Sequence, residues 1–382
     1  LRVIIEVERV RVNGGRAREF PFDRVRFLLL LVPVAIAAWV LHWPAIVRFA
    51  TAAVAIIPLA GLMGEATERL AARLGPGLGG LLNATFGNAA ELIIALFALF
   101  RGYDGVVKAS LTGSIIGNLL LVLGASFVAG GIKFRTLVYN RTAAGIGATL
   151  AVLAAMGMLV PAIFHALVDA RAVEVEHHLS LSVSIVLLAT YGLHLLFSLV
   201  THRDLYSTEA DEDARREDSH ATTRVKAAVA TLLIATAFVA FMSEILVGAI
   251  DEARGVLGWS EVFVGVIVVA IVGNAAEHSS AVIVALKRQM DLSVGISLGS
   301  ALQIALFVTP VVVIASYLRA EPMDLLFTPL EVVAVVLAVL IARMVAEDGE
   351  SNWLEGIMLI GLYVILGLAF FYFPETTATA TH

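Results

Sequence analysis

Two glutamates carry the chemistry that this sequence can offer. Glu91 and Glu277 each close a Gly-Asn-Ala-Ala-Glu run, Gly87 to Glu91 and Gly273 to Glu277, and the two runs lie 186 residues apart. Each glutamate sits in a long stretch with no other Asp, Glu, Lys or Arg, 74–100 and 262–286. Placing a carboxylate in such a stretch costs at least about 2.5–3.5 kcal/mol on bilayer-insertion scales, so it faces a cavity or the bundle interior. Asn88 and Asn274 each precede their glutamate by three residues, which puts amide and carboxylate on one helix face. Asn83 lies eight before Glu91, near that same face. The small residues of the run let helix backbones approach closely. A Gly-Asn pair can also loosen a helix and free carbonyls toward a cation. All of these ligands are oxygens. Hard oxygens suit Ca²⁺, which takes six to eight of them at about 2.3–2.6 Å in flexible geometry. Mg²⁺ dehydrates reluctantly, and soft transition metals would want His or Cys.

The surroundings extend the pattern. His278 adjoins Glu277 but has no partner in the first copy, and Ser279-Ser280-Ala281 after it rules out a metalloprotease H-E-x-x-H. The same offset of 186 maps Gly113-Ser114 onto Gly299-Ser300, while Asn118 falls on Ile304 and Gln303 on Gly117. Ser114, Asn118, Ser300 and Gln303 therefore become candidates to line a pathway beside their alternative role as glue between helices. Upstream, Met63-Gly64-Glu65 matches Met242-Ser243-Glu244. Glu65 has Glu68 and Arg69 close by, which also fits a helix-end salt bridge. Glu244 is alone in its run and is the better candidate for a proton path or cation relay.

The elements that position these residues follow from composition. The chain has 382 residues, 59% hydrophobic and 15% charged, against about 45–50% and 25% in a soluble domain. The excess must face lipid, which sets aside soluble enzymes, nucleic-acid binders and disulfide-rich secreted domains. With no Cys there is neither disulfide nor thiol chemistry. Eleven apolar stretches of span length run from 27–47 through about 49–72, 74–100, 109–132, 142–168, 177–202, 227–250, 262–286, 292–318, 325–342 and 356–374. They predict an all-α integral membrane protein of eleven transmembrane helices. The first run is too long for a cleaved signal peptide and no small-residue cleavage site follows it.

The repeat divides the chain into a cytoplasmic N-terminal segment (1–26), a first helix (27–47), repeat 1 (48–202), an acidic cytoplasmic linker (203–226), repeat 2 (227–374) and a C-terminal tail (375–382). Five spans per repeat, an odd number, predict inverted topology with a substrate site where the repeats meet. With the N-terminus inside, 20 of the 26 lysines and arginines fall on the cytoplasmic side, so the C-terminus is expected outside. The linker packs six acids and two arginines into Glu209 to Asp218 and reads as a solvated segment or a cation-attracting surface.

The stretches from Asn83 to Ile93 and from Gly273 to Ala281 resemble the two signature repeats of the calcium/proton exchanger (CAX) family of the calcium/cation antiporter superfamily. The resemblance covers nearly the whole chain after residue 25. It implies a Ca²⁺/H⁺ antiporter without a resident cofactor. Glu91 and Glu277 would be the central cation and proton carriers, Asn88 and Asn274 ligands, and Ser114, Ser300 and Gln303 the pathway lining. Ca²⁺, protons and the lipid bilayer are then the partners, nucleic acid is not, and a homo-oligomer stays open. A bacterial inner membrane fits the absence of organelle signals. A same-fold exchanger driven by Na⁺ or carrying Mn²⁺ is the alternative. A channel would not need paired carboxylates in inverted repeats, and no nucleophile–base pair supports an intramembrane enzyme.

Overall fold

The computed structural model describes residues 23–168, 173–202, 205 and 222–373. A 3₁₀ turn, Asp23–Leu30, leads into α1 (Leu31–Val40). Then come α2 (Ala45–Phe86), α3 (Ala89–Phe100) and α4 (Asp104–Ile116), which passes through a π-helical stretch, Gly117–Val122, into α5 (Leu123–Phe134). Strand β1 (Leu137–Val138) precedes α6 (Arg141–Leu167) and α7 (Val173–Leu196). After the linker come α8 (Thr222–Gly248) and the short α9 (Ile250–Leu257). The turn Glu261–Phe263 and a π-helical Val264–Val269 enter α10 (Ala270–Leu286). Next is α11 (Met290–Gln303), then π-helical Ile304–Val308 and α12 (Thr309–Ser316). The chain closes with α13 (Pro329–Ala346), β2 (Glu350–Ser351) and α14 (Trp353–Tyr372).

Nine helical runs among the described residues are long and apolar enough to cross a membrane, and two shorter apolar helices, Phe27–Val40 and Ala89–Phe100, accompany them. The two short ones fall in the first and third of the eleven expected spans. The acidic centre of the linker and the C-terminal tail lie outside the described residues, as does all but the end of the N-terminal segment.

Element α2 is a helical run of 42 residues, but it is not straight. A Cβ built on Gly79 would fall 2.0 Å from the carbonyl oxygen of Ala71, eight residues earlier. Eight residues of straight helix span about 12 Å, so the chain doubles back between them. Helix α2 packs on α8 and α1, while α4 crosses the π-helical stretch before α10, and α5 lies along α14. At the α4 crossing a Cβ on Gly113 would sit 2.0 Å from the Val266 carbonyl, so only glycine fits there.

The two ends of the bundle are tied differently. At the end bearing Arg101, ion pairs join distant parts of the chain: Arg101 with Glu244, Lys108 with Asp324, Arg319 with Asp104 at 2.5 Å and Arg48 with Glu252 at 2.8 Å. The Tyr103 hydroxyl donates to Asp251 at 2.8 Å, and burial together with that carboxylate raises the phenol pKa, so it remains a donor. At the opposite end Lys133 donates to the Leu286 carbonyl at 2.9 Å, and β1 pairs antiparallel with β2, Leu137 opposite Ser351.

Candidate functional site

Glu91 and Glu277 open onto one cavity of 320 Å³, whose walls also include Glu65, Glu68, Asn83, Ser300 and Gln303. From the carboxylates it extends along the Ala60–Glu68 part of α2 and the Leu292–Gly299 part of α11, toward the end that bears Lys287. Helix continuity breaks at Gly87-Asn88, so Glu91 stands in the first turn of α3, where exposed backbone N–H groups favour negative charge. Glu277 sits within α10, which runs on through Gly273-Asn274.

The two glycines explain why the carboxylates meet. A Cβ on Gly87 would lie 3.3 Å from Gln303 Oε1 and 3.7 Å from Glu277 Oε1. A Cβ on Gly273 would lie 3.2 Å from Glu91 Cγ and 3.4 Å from its Oε1. Each motif's glycine leaves room for the other motif's glutamate. One oxygen of each carboxylate, Glu91 Oε2 and Glu277 Oε2, is buried without a hydrogen-bond partner. A buried acceptor left unmatched is costly, and a cation or a proton would satisfy both. No group of three or more His, Cys, Asp or Glu side chains among the described residues is arranged to hold a metal ion.

Behind the carboxylates lies a crossed amide network. Asn88 Nδ2 donates to Gln303 Oε1 at 2.5 Å, and Ser300 Oγ donates to Asn88 Oδ1 at 3.0 Å. Asn274 Nδ2 donates to Ser114 Oγ and to the Ala270 carbonyl, both at 2.8 Å. Asn118 Nδ2 bridges Asn274 Oδ1 at 3.1 Å and Ser300 Oγ at 2.9 Å. Each motif's asparagine thus holds the serine that follows the other motif.

The other candidate residues are placed unevenly about the cavity. Asn88 and Asn274 are 1% and 0% exposed and do not line the cavity. Their side-chain oxygens accept hydrogen bonds from Ser300 and Asn118. Ser114 and Asn118 belong to the same buried layer, whereas Ser300 and Gln303 reach the cavity. Glu244 is not in the cavity; it pairs with Arg101. Glu65, by contrast, lines the cavity at 5% exposure and also pairs with Arg69 at 3.3 Å. His278 does not line the cavity, and its Nε2 is buried without a partner. Sequence reasoning missed Gly87 and Gly273 as spacers and Arg101 as a partner. The identical offset in both motifs was the available signal for the glycines.

Residues 44–200 and 227–372 match the sodium/calcium exchanger protein family. The chain is 46% identical over 357 residues to the Ca(2+)/H(+) antiporter of Aphanothece halophytica, with 91% of this chain and 96% of that protein covered. It is 45% identical over 352 residues to the Ca(2+)/H(+) antiporter ChaA of Bacillus subtilis, covering 91% of this chain and 99% of that one. The solved structure of native YfkE superposes with a TM-score of 0.78 at 42% identity, covering 91% of this chain and 100% of that chain. With its two glutamates brought together from matching motifs in an all-helical membrane fold, the chain belongs to the sodium/calcium exchanger protein family, in its calcium/proton exchanger branch.

Proposed function

We propose that this protein is a Ca²⁺/H⁺ antiporter that moves Ca²⁺ out of the cytoplasm in exchange for protons by alternating access. The observation that carries the reading is the reciprocal crossing of glycine and glutamate, which sets Glu91 and Glu277 against one cavity with an unmatched oxygen on each. Two carboxylates with one Ca²⁺ are neutral, and so are two carboxylates with two protons. The empty, doubly ionised pair carries two negative charges and is costly to occlude in low dielectric. Crossing is favoured only when one cargo or the other is loaded, which couples the two fluxes. Asn88, Asn274, Ser114 and Asn118 position the carboxylates, and Ser300, Gln303, Asn83 and Glu65 line the way to them.

The architecture that serves this is eleven spans, one extra N-terminal helix and two inverted five-helix repeats, 48–202 and 227–374. Support comes from two turns in which backbone hydrogen bonds recur at the offset of 186. Tyr103 N donates to the Ala98 carbonyl at 2.9 Å, and Gln289 N to the Val284 carbonyl at 3.0 Å. Gly102 and Arg288, at the same offset, both take positive φ, 81° and 63°. The lysine and arginine distribution puts the N-terminus in the cytoplasm and the C-terminus outside, so the cavity faces the cytoplasm. The bacterial relatives fit a plasma-membrane location.

The test is ⁴⁵Ca²⁺ uptake into vesicles under an imposed pH gradient, with and without Na⁺. Uptake driven by the pH gradient alone is expected. Uptake only with a Na⁺ gradient would transfer the reading to a Na⁺-driven exchanger. For orientation, a cysteine replacing Ser260 should label from outside, and one replacing Ser207, which lies outside the described residues, from the cytoplasm. The reverse pattern would overturn the direction of export.

A further inference from the structure

The motif Glu–Glu pair is followed, ten residues after each glutamate, by a cation at the same turn position: Arg101 after Glu91 and Lys287 after Glu277. The two turns are the same structure. Gly102 N donates to the Leu99 carbonyl at 3.0 Å, and Arg288 N to the Ala285 carbonyl at 3.0 Å, again at the offset of 186. Arg101 and Lys287 thus stand at equivalent places on opposite ends of the bundle. The acids Glu65 and Glu244, in the matching Met-x-Glu runs, are equivalent in the same way.

Their present partners differ. Arg101 is paired with Glu244, and this joins α8 to the turn between α3 and α4. At the other end Glu65 is paired within its own helix to Arg69, and Lys287 is exposed and makes no ion pair among the described residues. The cavity lies between the helix of Glu65 and α11, which begins just after the Lys287 turn. So the gap is closed by a salt bridge at one end and open at the other, where the equivalent acid and cation are both present and apart.

We propose that Glu244–Arg101 and Glu65–Lys287 are alternating latches, the first closing the outer gate in the cytoplasm-facing state and the second closing the inner gate in the outward-facing state. The inference rests on the inverted-repeat, alternating-access reading. When two copies of one fold are inserted in opposite senses, each copy adopts in the second state the arrangement its mate holds in the first. Glu244 then leaves Arg101, and Glu65 leaves Arg69 for Lys287. The exchange is not symmetric. Position 248, which corresponds to Arg69, is glycine, so a released Glu244 has no cation one helical turn away. Glu65 has a resting partner and Glu244 has none, which favours the cytoplasm-facing state seen here.

The chain has no native cysteine, so thiol cross-linking reads the two gaps directly. Two cysteine pairs are compared in purified, folded protein with a short bifunctional thiol reagent: Arg101→Cys with Glu244→Cys, and Glu65→Cys with Lys287→Cys, the latter also with Arg101→Gln added. The first pair should link readily at rest and the second slowly. Removing the outer latch with Arg101→Gln should speed the 65–287 link up to about fivefold, the weight of ~1 kcal/mol for an exposed ion pair. In the 65–287 cysteine background, the exchange Arg101→Glu with Glu244→Arg keeps the outer pair and should return the slow rate. A 65–287 link that ignores Arg101→Gln, or that never forms while the 101–244 link does, overturns the latches. Wild-type ⁴⁵Ca²⁺ uptake measured alongside separates the two readings. Uptake intact with no coupled cross-linking fails the latches alone, and no pH-driven uptake fails the antiporter itself.

Discussion

In the first motif the helix breaks at Gly87-Asn88 and Glu91 stands at the N-terminus of α3; in the second, α10 runs through Gly273-Asn274 and Glu277 sits within it. The second copy takes up its irregularity earlier, in the π-helical Val264–Val269, while both copies share a π-helical stretch farther on, Gly117–Val122 and Ile304–Val308. π-Bulges of this kind gather at functional sites because they re-aim side chains. The same five residues therefore ride on two different backbones. What both copies keep is the crossing: glycine against the other glutamate, asparagine against the other serine. Both copies bring a carboxylate to the cavity and an asparagine to the other copy's serine, from different backbones.

The sharpest way to break this comparison is to remove one charge at a time. Glu91→Gln and Glu277→Gln keep shape and lose the charge that must bind Ca²⁺ and release a proton. Each alone should abolish pH-driven ⁴⁵Ca²⁺ uptake in vesicles while the protein still inserts. Flux like wild type from either variant would make the pair unequal and sink the shared site.

Next in size is the pH dependence of binding. Protons and Ca²⁺ compete for the same oxygens, so lowering the pH weakens Ca²⁺ binding. If binding displaces two protons, apparent affinity falls about 100-fold per pH unit, and if one, about tenfold. Equilibrium Ca²⁺ binding to purified protein across pH 5 to 8 distinguishes these, and a flat profile would route protons elsewhere. The expectation for Glu91→Gln is a shallower slope, should any binding survive.

Smaller effects come from the spacers and the network. Gly273→Ala places a methyl 3.2 Å from Glu91 Cγ, and Gly87→Ala places one 3.3 Å from Gln303 Oε1 and 2.8 Å from the Asn83 carbonyl. Overpacking of this kind costs about 1–3 kcal/mol, read as weaker Ca²⁺ binding with thermal melting as the control for folding. Equal losses would uphold the reciprocity; loss in one alone would break it. Asn118→Leu removes the amide that bridges Asn274 and Ser300, with an expected cost of about 1–3 kcal/mol for the partners left unmatched. Thermal melting measures it. A variant as stable as wild type would mean that Asn118, which has no polar counterpart at Ile304, is filler.

Much of this site was legible along the chain. Glu91 and Glu277 stood out because a charge inside an apolar run is expensive wherever the run packs, and the recurrence of five residues at a constant offset needs no structure to see. Asn88 and Asn274 were legible as neighbours of the glutamates but not in their hydrogen-bond partners. Sharing a helix face with a glutamate leaves open whether an amide looks into the cavity or across to Ser300 or Ser114. Glu65 and Glu244 show the limit from the other side: the Glu65–Arg69 pair that the local sequence favoured is formed, yet Glu65 also lines the cavity, and Glu244, alone in its run, is taken by Arg101.

The sequence by itself determined that the chain lies in lipid, that it repeats, and which two carboxylates must be housed, because hydropathy, spacing and the cost of buried charge are properties of short segments. Only the tertiary structure decided which acid faces the cavity and which cation pairs with its counterpart. Those contacts join residues 143 to 215 positions apart, as in Arg101–Glu244 and Asn88–Gln303, and pairings at such separation are set by how whole helices pack, which no local pattern records.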